Sequence, residues 1–228
     1  LAWDIIRARH RLGATLVFAS AATISVGAWA LPVYEVYKVG EDVHLKRGLD
    51  LFADYGMNLS FVPHWNNADG GIDLDTSRCF FGIERFERWR SLLPEGNIVV
   101  GLDEHSGVIF DFEAGCCEVA GVSSVSVLKS DAAKIHPAGA KFPLDELGGF
   151  QPPASFEAGI RAGVWDLLRR ANQPEDDAPP PEAFALLEQR KAARDRKDFA
   201  ESDRLREKIS ALGWAVQDGR EGQKLVKK

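Results

Sequence analysis

The stretch Phe61-Val62-Pro63-His64-Trp65-Asn66-Asn67-Ala68-Asp69-Gly70-Gly71 decides how the chain is read. The apolar run before and into it, Leu59-Ser60-Phe61-Val62, predicts a buried strand. Pro63 stops that strand, because proline removes the next ladder donor. A histidine, a tryptophan and two asparagines follow at the strand's carboxyl end, before a glycine pair. In open α/β sheets that end is where ligands and catalytic side chains collect. Taken alone, the loop reads equally well as an ordinary strand exit with a solvated histidine, since one histidine is weak evidence.

The totals narrow the classes. A chain of 228 residues, 45% hydrophobic and 27% charged, holds one medium domain and something smaller. A net charge of −6 excludes a chain-wide nucleic-acid footprint. From Glu182 to Lys228, however, 12 Lys and Arg stand against 9 Asp and Glu, whereas the rest of the chain has 16 against 25. The tail is therefore a separate electrostatic unit. Cys79, Cys116 and Cys117 are odd in number and lack a CxxC spacing, so no disulfide framework is expected and a reducing cytoplasm fits.

No residue from Leu12 to Tyr34 is charged, and Arg7, Arg9 and Arg11 precede that run. It reads as a signal peptide ending near Ala28-Trp29-Ala30, as a membrane span, or as a buried strand–turn–helix. Ser20, Thr23, Ser25 and Gly27 interrupt it, and Leu16-Val17-Phe18 is strand-like while Ala21 to Ala30 is helix-like. The third reading, with no membrane contact, is the one carried forward. The chain begins at Leu1 rather than methionine, as expected of a fragment or a processed product.

Along the chain, Trp3 to His10 has helical spacing, Ala14 to Ala19 a strand, Leu31 to Val39 an extended segment and Gly48 to Tyr55 a short helix. Phe80 to Leu93 is an amphipathic helix with Phe81, Phe86, Trp89 and Leu93 inward. Ile98 to Leu102 is a buried strand, followed by Asp103-Glu104-His105-Ser106 and a second strand, Val108 to Phe110. Runs around Glu118–Val119 and Val125–Leu128 suggest an antiparallel ribbon. These elements define a domain over residues 1–130. Ser130 to Pro153 lacks periodicity and is read as linker, Ser155 to Ala171 as a helix within the linking region 131–181, and Glu175 to Pro181 as an acidic, proline-rich spacer. Two helices, near Glu182–Arg194 and Lys197–Ala211, and a short strand at Trp214–Val216 make the third region, 182–228.

Ser20, at a strand-to-helix turn, has the placement of a nucleophile elbow, where the hydroxyl is exposed and the helix amides can serve an oxyanion. His64 is the natural base, and Glu35 a carboxylate to orient it. Ala19-Ser20-Ala21-Ala22, His64 with the downstream Arg85-Phe86-Glu87-Arg88-Trp89, and above all Gly101-Leu102-Asp103-Glu104-His105-Ser106-Gly107 resemble the motifs of the cyanophycinase/peptidase E serine peptidases. The resemblance spans about residues 14–128. It implies the flavodoxin-like α/β core of class I glutamine amidotransferases, a three-layer sandwich, and hydrolysis of a peptide or amide bond without metal or cofactor. It further implies Ser20 as nucleophile, His64 as base and an acidic partner between them, which points to Glu35. Trp65, Asn66, Asn67, Asp103 and Glu104 are then expected as contacts to a small peptide or amide substrate. Phe18 and Ala22 stand where family elbows carry glycine, and only 19 residues precede Ser20, so the domain is expected to be N-terminally incomplete.

The tail, from Leu187 through Arg206 to Gly219, resembles the C-terminal module of cysteinyl-tRNA synthetases. That likeness implies tRNA contact through Arg190, Arg194, Lys197, Arg204 and Arg206. Those side chains read equally as the solvated faces of a helical hairpin. The synthetase HIGH and KMSKS motifs and zinc ligands are absent, so aminoacylation is not expected. The rival to a serine hydrolase is thus a non-catalytic tRNA- or RNA-associated protein, and a homo-oligomer completes the expected partners.

Overall fold

The computed structural model describes residues 1–129, 132–172, 179–219 and 222–228. The chain divides into two compact units, Leu1–Asp166 and Leu167–Lys228.

In the first unit, helix α1 (Ala2–Arg11) carries Asp4 in its first turn and Arg9, His10 and Arg11 in its last, a charge order that complements the helix dipole. Arg7 Nε and Arg11 Nη2 reach the Asp54 carboxylate at 2.8 and 3.2 Å, fixing α1 to the 3-10 turn Leu51–Tyr55. Ala14 to Ala19 has the alternation of a strand: Leu16 and Phe18 pack against the core, and Val17 is 87% exposed. Among the described residues, however, it pairs with no other strand. Helix α2 (Ala21–Val26) starts directly after Ser20.

Strand β1 (Trp29–Ala30) pairs antiparallel with β2 (Lys46–Arg47). The extended segment expected between them is not there, because Tyr34–Val39 forms a π-helical turn closed by Gly40 at φ 83°. Val33 and Val36 are both buried, three residues apart, a spacing that suits a helical turn and not strand alternation.

The main sheet is built on β3 (Leu59–Val62) and, beyond helix α3 (Ile83–Leu92), β4 (Ile98–Leu102). Both strands are buried at every position, as their unbroken apolar runs require. They pair in parallel, Leu59 opposite Ile98 and Val62 opposite Gly101. Strands β5 (Ser106–Asp111), β6 (Cys116–Gly121), β7 (Ser124–Lys129), β8 (Ala132–Pro137) and β9 (Lys141–Pro143) follow. The four-stranded order is β3-β4-β7-β8, with β7 and β8 antiparallel, and β5-β6-β9 form a separate antiparallel sheet. Phe86 and Trp89 of α3 pack on one face with Val62, Val99 and Leu128. Phe61, Val100 and Val127 pack on the other with Val119, Phe142, Leu144 and Leu147. The class is α/β, and the face opposite α3 is covered by the β5-β6-β9 sheet together with Trp3 of α1 and the turn Leu51–Tyr55.

Residues 132–153 are therefore no linker. Phe142, Leu144 and Leu147 are buried, and Pro137 and Pro143 close their strands, where a missing ladder donor costs least. The helix expected from Ser155 begins later, as α4 (Ala162–Asn172), and the boundary between the units falls within it. Of the acidic spacer, residues 175–178 lie outside the described residues.

In the second unit, α5 (Pro181–Asp195) opens with proline in its first turn, where no amide donor is needed. Helix α6 (Phe199–Ala211) is capped by Asp198, which accepts from the Glu201 amide at 3.1 Å. Strand β10 (Trp214–Gly219) pairs with β11 (Gly222–Lys227), the latter unforeseen. Ile209, Trp214 and Val216 form the core with Leu186, Leu187 and Leu225. Among the described residues no helix is long and apolar enough to cross a membrane.

Candidate active site

The parallel pairing of β3 and β4 builds the site. Continuing their register past Val62 and Gly101 sets the turn holding His64 beside the turn holding Asp103 and Glu104. His64 Nδ1 lies 3.2 Å from Glu104 Oε1, and His64 Nε2 lies 3.1 Å from Ser20 Oγ. A carboxylate only accepts, so the imidazole proton sits on Nδ1, and the Nε2 lone pair faces the Ser20 hydroxyl. The side chains of His64 and Glu104 are 33% and 34% exposed.

Two of the three sit on uncommon backbone. Ser20 has φ 50° and ψ −118°, a conformation held only when the surroundings over-determine it. It aims the hydroxyl outward just before the first amide of α2, as a nucleophile elbow does. His64 has φ 51°. The loop after it is closed at its neck, for the Arg78 amide donates to Trp65 O at 3.0 Å and the Cys79 amide to His64 O at 3.0 Å. Arg78, Cys79 and Phe80 are consecutive left-handed residues, with φ of 56°, 63° and 65°. Asp75 braces that turn, accepting from the Ser77 amide at 3.0 Å and the Ile83 amide at 2.7 Å. The Ile83 amide above all, with Ser77, holds the Asp75 carboxyl below its ordinary range.

These groups open into a cleft of about 1180 Å³. Ser20, His64, Asp103 and Glu104 lie on its wall with Phe18, Phe52, Tyr55, Phe110 and Phe112. Trp65, Asn66 and Asn67, expected against substrate, are not part of that wall. Trp65 is 8% exposed, edge-on to Phe86 at 5.1 Å and covered by the Arg78 guanidinium at 3.7 Å. It fills space left by Gly101, where an added Cβ would stand 2.4 Å from its ring. Asn66 Oδ1 accepts from the Glu104 amide at 2.8 Å, and the buried Asn67 donates from Nδ2 to Glu104 Oε1 at 2.8 Å. Asp103 turns away to accept from Ser123 Oγ at 2.7 Å and Ser124 Oγ at 2.6 Å.

Glu35 is not at His64. It projects from the π-helical turn and is ion-paired with Lys46, whose ammonium holds its carboxyl below the ordinary range. The carboxylate on His64 is Glu104. The strand-end register, combined with the motif around Gly101, was the signal that could have found it. Cys79, next to this loop, is buried, and burial pushes its thiol up to about 12. Among the described residues no group of three or more His, Cys, Asp or Glu is placed to hold a metal ion.

In the second unit, Arg190 is buried with its side chain 3% exposed, and it bonds Asp218 at 3.2 Å, as Arg194 does at 2.8 Å. Arg190 is thus part of the packing and not open to a ligand. Lys197 and Arg206 are exposed, and Arg204 lies 3.5 Å from Glu201 with its side chain 68% exposed.

Residues 176–224 match the family model described as the cysteinyl-tRNA ligase anticodon binding domain. The chain is 45% identical over 62 residues to the cysteine–tRNA ligase of Methanosarcina acetivorans, covering 27% of this chain and 13% of that protein. It is 48% identical over 70 residues to the Chlamydia trachomatis enzyme, covering 28% and 15%. It is 42% identical over 76 residues to cysteine–tRNA ligase 1 of Burkholderia lata, covering 32% and 16%. The chain thus spans a small fraction of the length of the curated relatives it matches. Among solved structures, the chain is similar to a peptidase from an acI-B1 Actinobacterium, with a TM-score of 0.39 and 17% identity over 54% of this chain and 43% of that one. That likeness is too slight to bear on activity.

Proposed function

We propose that the first unit is a serine hydrolase acting on a peptide or amide bond, with Ser20 as nucleophile, His64 as general base and Glu104 as the carboxylate orienting it. The observation that carries this reading is the unbroken relay from Ser20 Oγ through His64 to Glu104 at 3.1 and 3.2 Å, on the wall of a cleft. His64 takes the Ser20 proton as the hydroxyl attacks the carbonyl, and later gives it to the leaving amine. The Ala21 amide, first in α2 and without an intrahelical acceptor, is the oxyanion donor nearest the nucleophile. The β3–α3–β4 unit, with the site at its strand ends, supports a flavodoxin-like, glutamine amidotransferase-like ancestry. A fluorophosphonate probe tests the reading. Labelling of the chain that Ser20→Ala abolishes is expected, and an unlabelled chain overturns it.

A second reading has its own observation, the match of residues 176–224 to an anticodon binding domain. Under it, the second unit binds tRNA through the exposed Lys197, Arg204 and Arg206, whether or not the first unit cleaves anything. Binding that weakens steeply with salt and is lost without residues 182–228 is its expected signature.

A further inference from the structure

Asn67 is a buried amide whose bonds run into the relay and not to substrate. It is 3% exposed, and its amide N–H donates to His64 O at 3.2 Å. Nδ2 donates to Glu104 Oε1 at 2.8 Å and to Asp69 Oδ2 at 3.0 Å, while Oδ1 accepts from the Asp69 amide at 3.2 Å. Glu104 Oε1 is therefore shared between two donors, His64 Nδ1 and Asn67 Nδ2, and the asparagine bond is the shorter. A carboxylate one-third exposed on a turn is otherwise free to rotate into water. With one oxygen held by Asn67 and its own amide held by Asn66, Glu104 has one orientation, the one that keeps the imidazole proton on Nδ1.

We infer that Asn67 is a positioning residue for the relay, fixing Glu104 against His64 and thereby the tautomer that turns Nε2 to Ser20. The inference rests on the hydrolase reading for what the positioning serves. Its geometry, however, can be tested on His64 itself. Of the other charged groups next to the relay, Asp69 is bonded to Asn67 and Arg78 is held over Trp65. Asp103 is turned to Ser123 and Ser124.

The test is a pH titration of the His64 imidazole by NMR in the full chain. Asn67→Leu frees Glu104, so the imidazolium loses its companion and the midpoint moves down. Asn67→Asp adds a carboxylate beside Glu104, and the midpoint moves up. Shifts of about half a unit to one unit are expected in each direction. Impaired packing alone would not move the two variants oppositely. In a Glu104→Gln background, Asn67→Leu has no carboxylate left to orient and should leave the midpoint in place. A measurement on the unaltered chain guards against poorly folded variants, since the Asn67 side-chain amide signals should shift in step with His64. Amide signals that stay still through that titration, or variant midpoints that do not part, overturn the inference. A chain that shows these shifts yet resists fluorophosphonate sinks the hydrolase reading and leaves the positioning role intact.

Discussion

Glu104 reaches His64 across a parallel strand pair, its Oε1 3.2 Å from Nδ1, while Glu35 is held away by Lys46. The two carboxylates therefore predict opposite outcomes. Glu104→Gln should slow fluorophosphonate labelling of Ser20 by about 10²–10⁴-fold, the scale of losing an oriented base. Glu35→Gln should change it by less than about twofold, because an exposed pair with Lys46 is all it removes. Labelling rates for the two variants decide between them.

Gly101 makes room for Trp65. Gly101→Ala brings a Cβ to 2.4 Å of the indole, which has no free volume beside Phe86. Overpacking of this kind costs about 1–3 kcal/mol. The variant should lose that much stability in urea and label more slowly, since Trp65 follows His64 directly.

Cys79 and Cys117 are both buried, with thiols pushed up to about 12 by burial. Iodoacetamide at neutral pH should leave both unmodified in the folded chain and modify them after denaturation, as read by mass spectrometry. Rapid alkylation of Cys79 would mean that the loop beside His64 opens.

Asp218 lies between Arg190 and Arg194, and the Arg190 hydrogen bond is the main reason its carboxyl sits below the ordinary range. A depressed folded value means stability fully present above the unfolded carboxyl value, near pH 4, and lost as pH falls through the folded one. The carboxylate is half exposed, so screening limits the effect. Asp218→Asn should cost about 1–2 kcal/mol at pH 7 and flatten the acid dependence, measured by hydrogen exchange in α5 and α6.

If the second unit binds tRNA, Arg206→Ala and Arg204→Ala should each weaken binding and lower the salt slope by about one. Arg190→Ala should instead loosen the hairpin, leaving Asp218 without its inner partner.

What the sequence revealed follows the lengths of its signals. The apolar runs at Leu59 to Val62 and Ile98 to Leu102 became the paired parallel strands, and Phe86 and Trp89 marked the buried side of α3. Ser20 and His64 were legible because each stands at the end of a strand-like run. The carboxylate was not, since chain order favoured Glu35 and only strand register brings Glu104 alongside. Asn66 and Asn67 look like substrate contacts in the sequence because nothing local shows that their amides turn back toward the neighbouring strand. Strand β9 escaped because it is three residues long and its partner β6 lies well back in the chain. Strands β8 and β11 are the second arms of hairpins with β7 and β10, and their six residues carry few apolar side chains from which to read an alternation.

The neck formed by Trp65, Arg78 and Cys79 has a further consequence for how the site can change. Chain that leaves at Asn66 and returns at Ser77 is closed off at its base, and Ile72 at its tip is fully exposed. The tip from Gly70 to Leu74 can then differ in length and character without shifting the histidine beneath it. The loop's tie to the relay runs through Asn67 and Asp69 near its base, so change beyond them leaves the contacts of His64 in place.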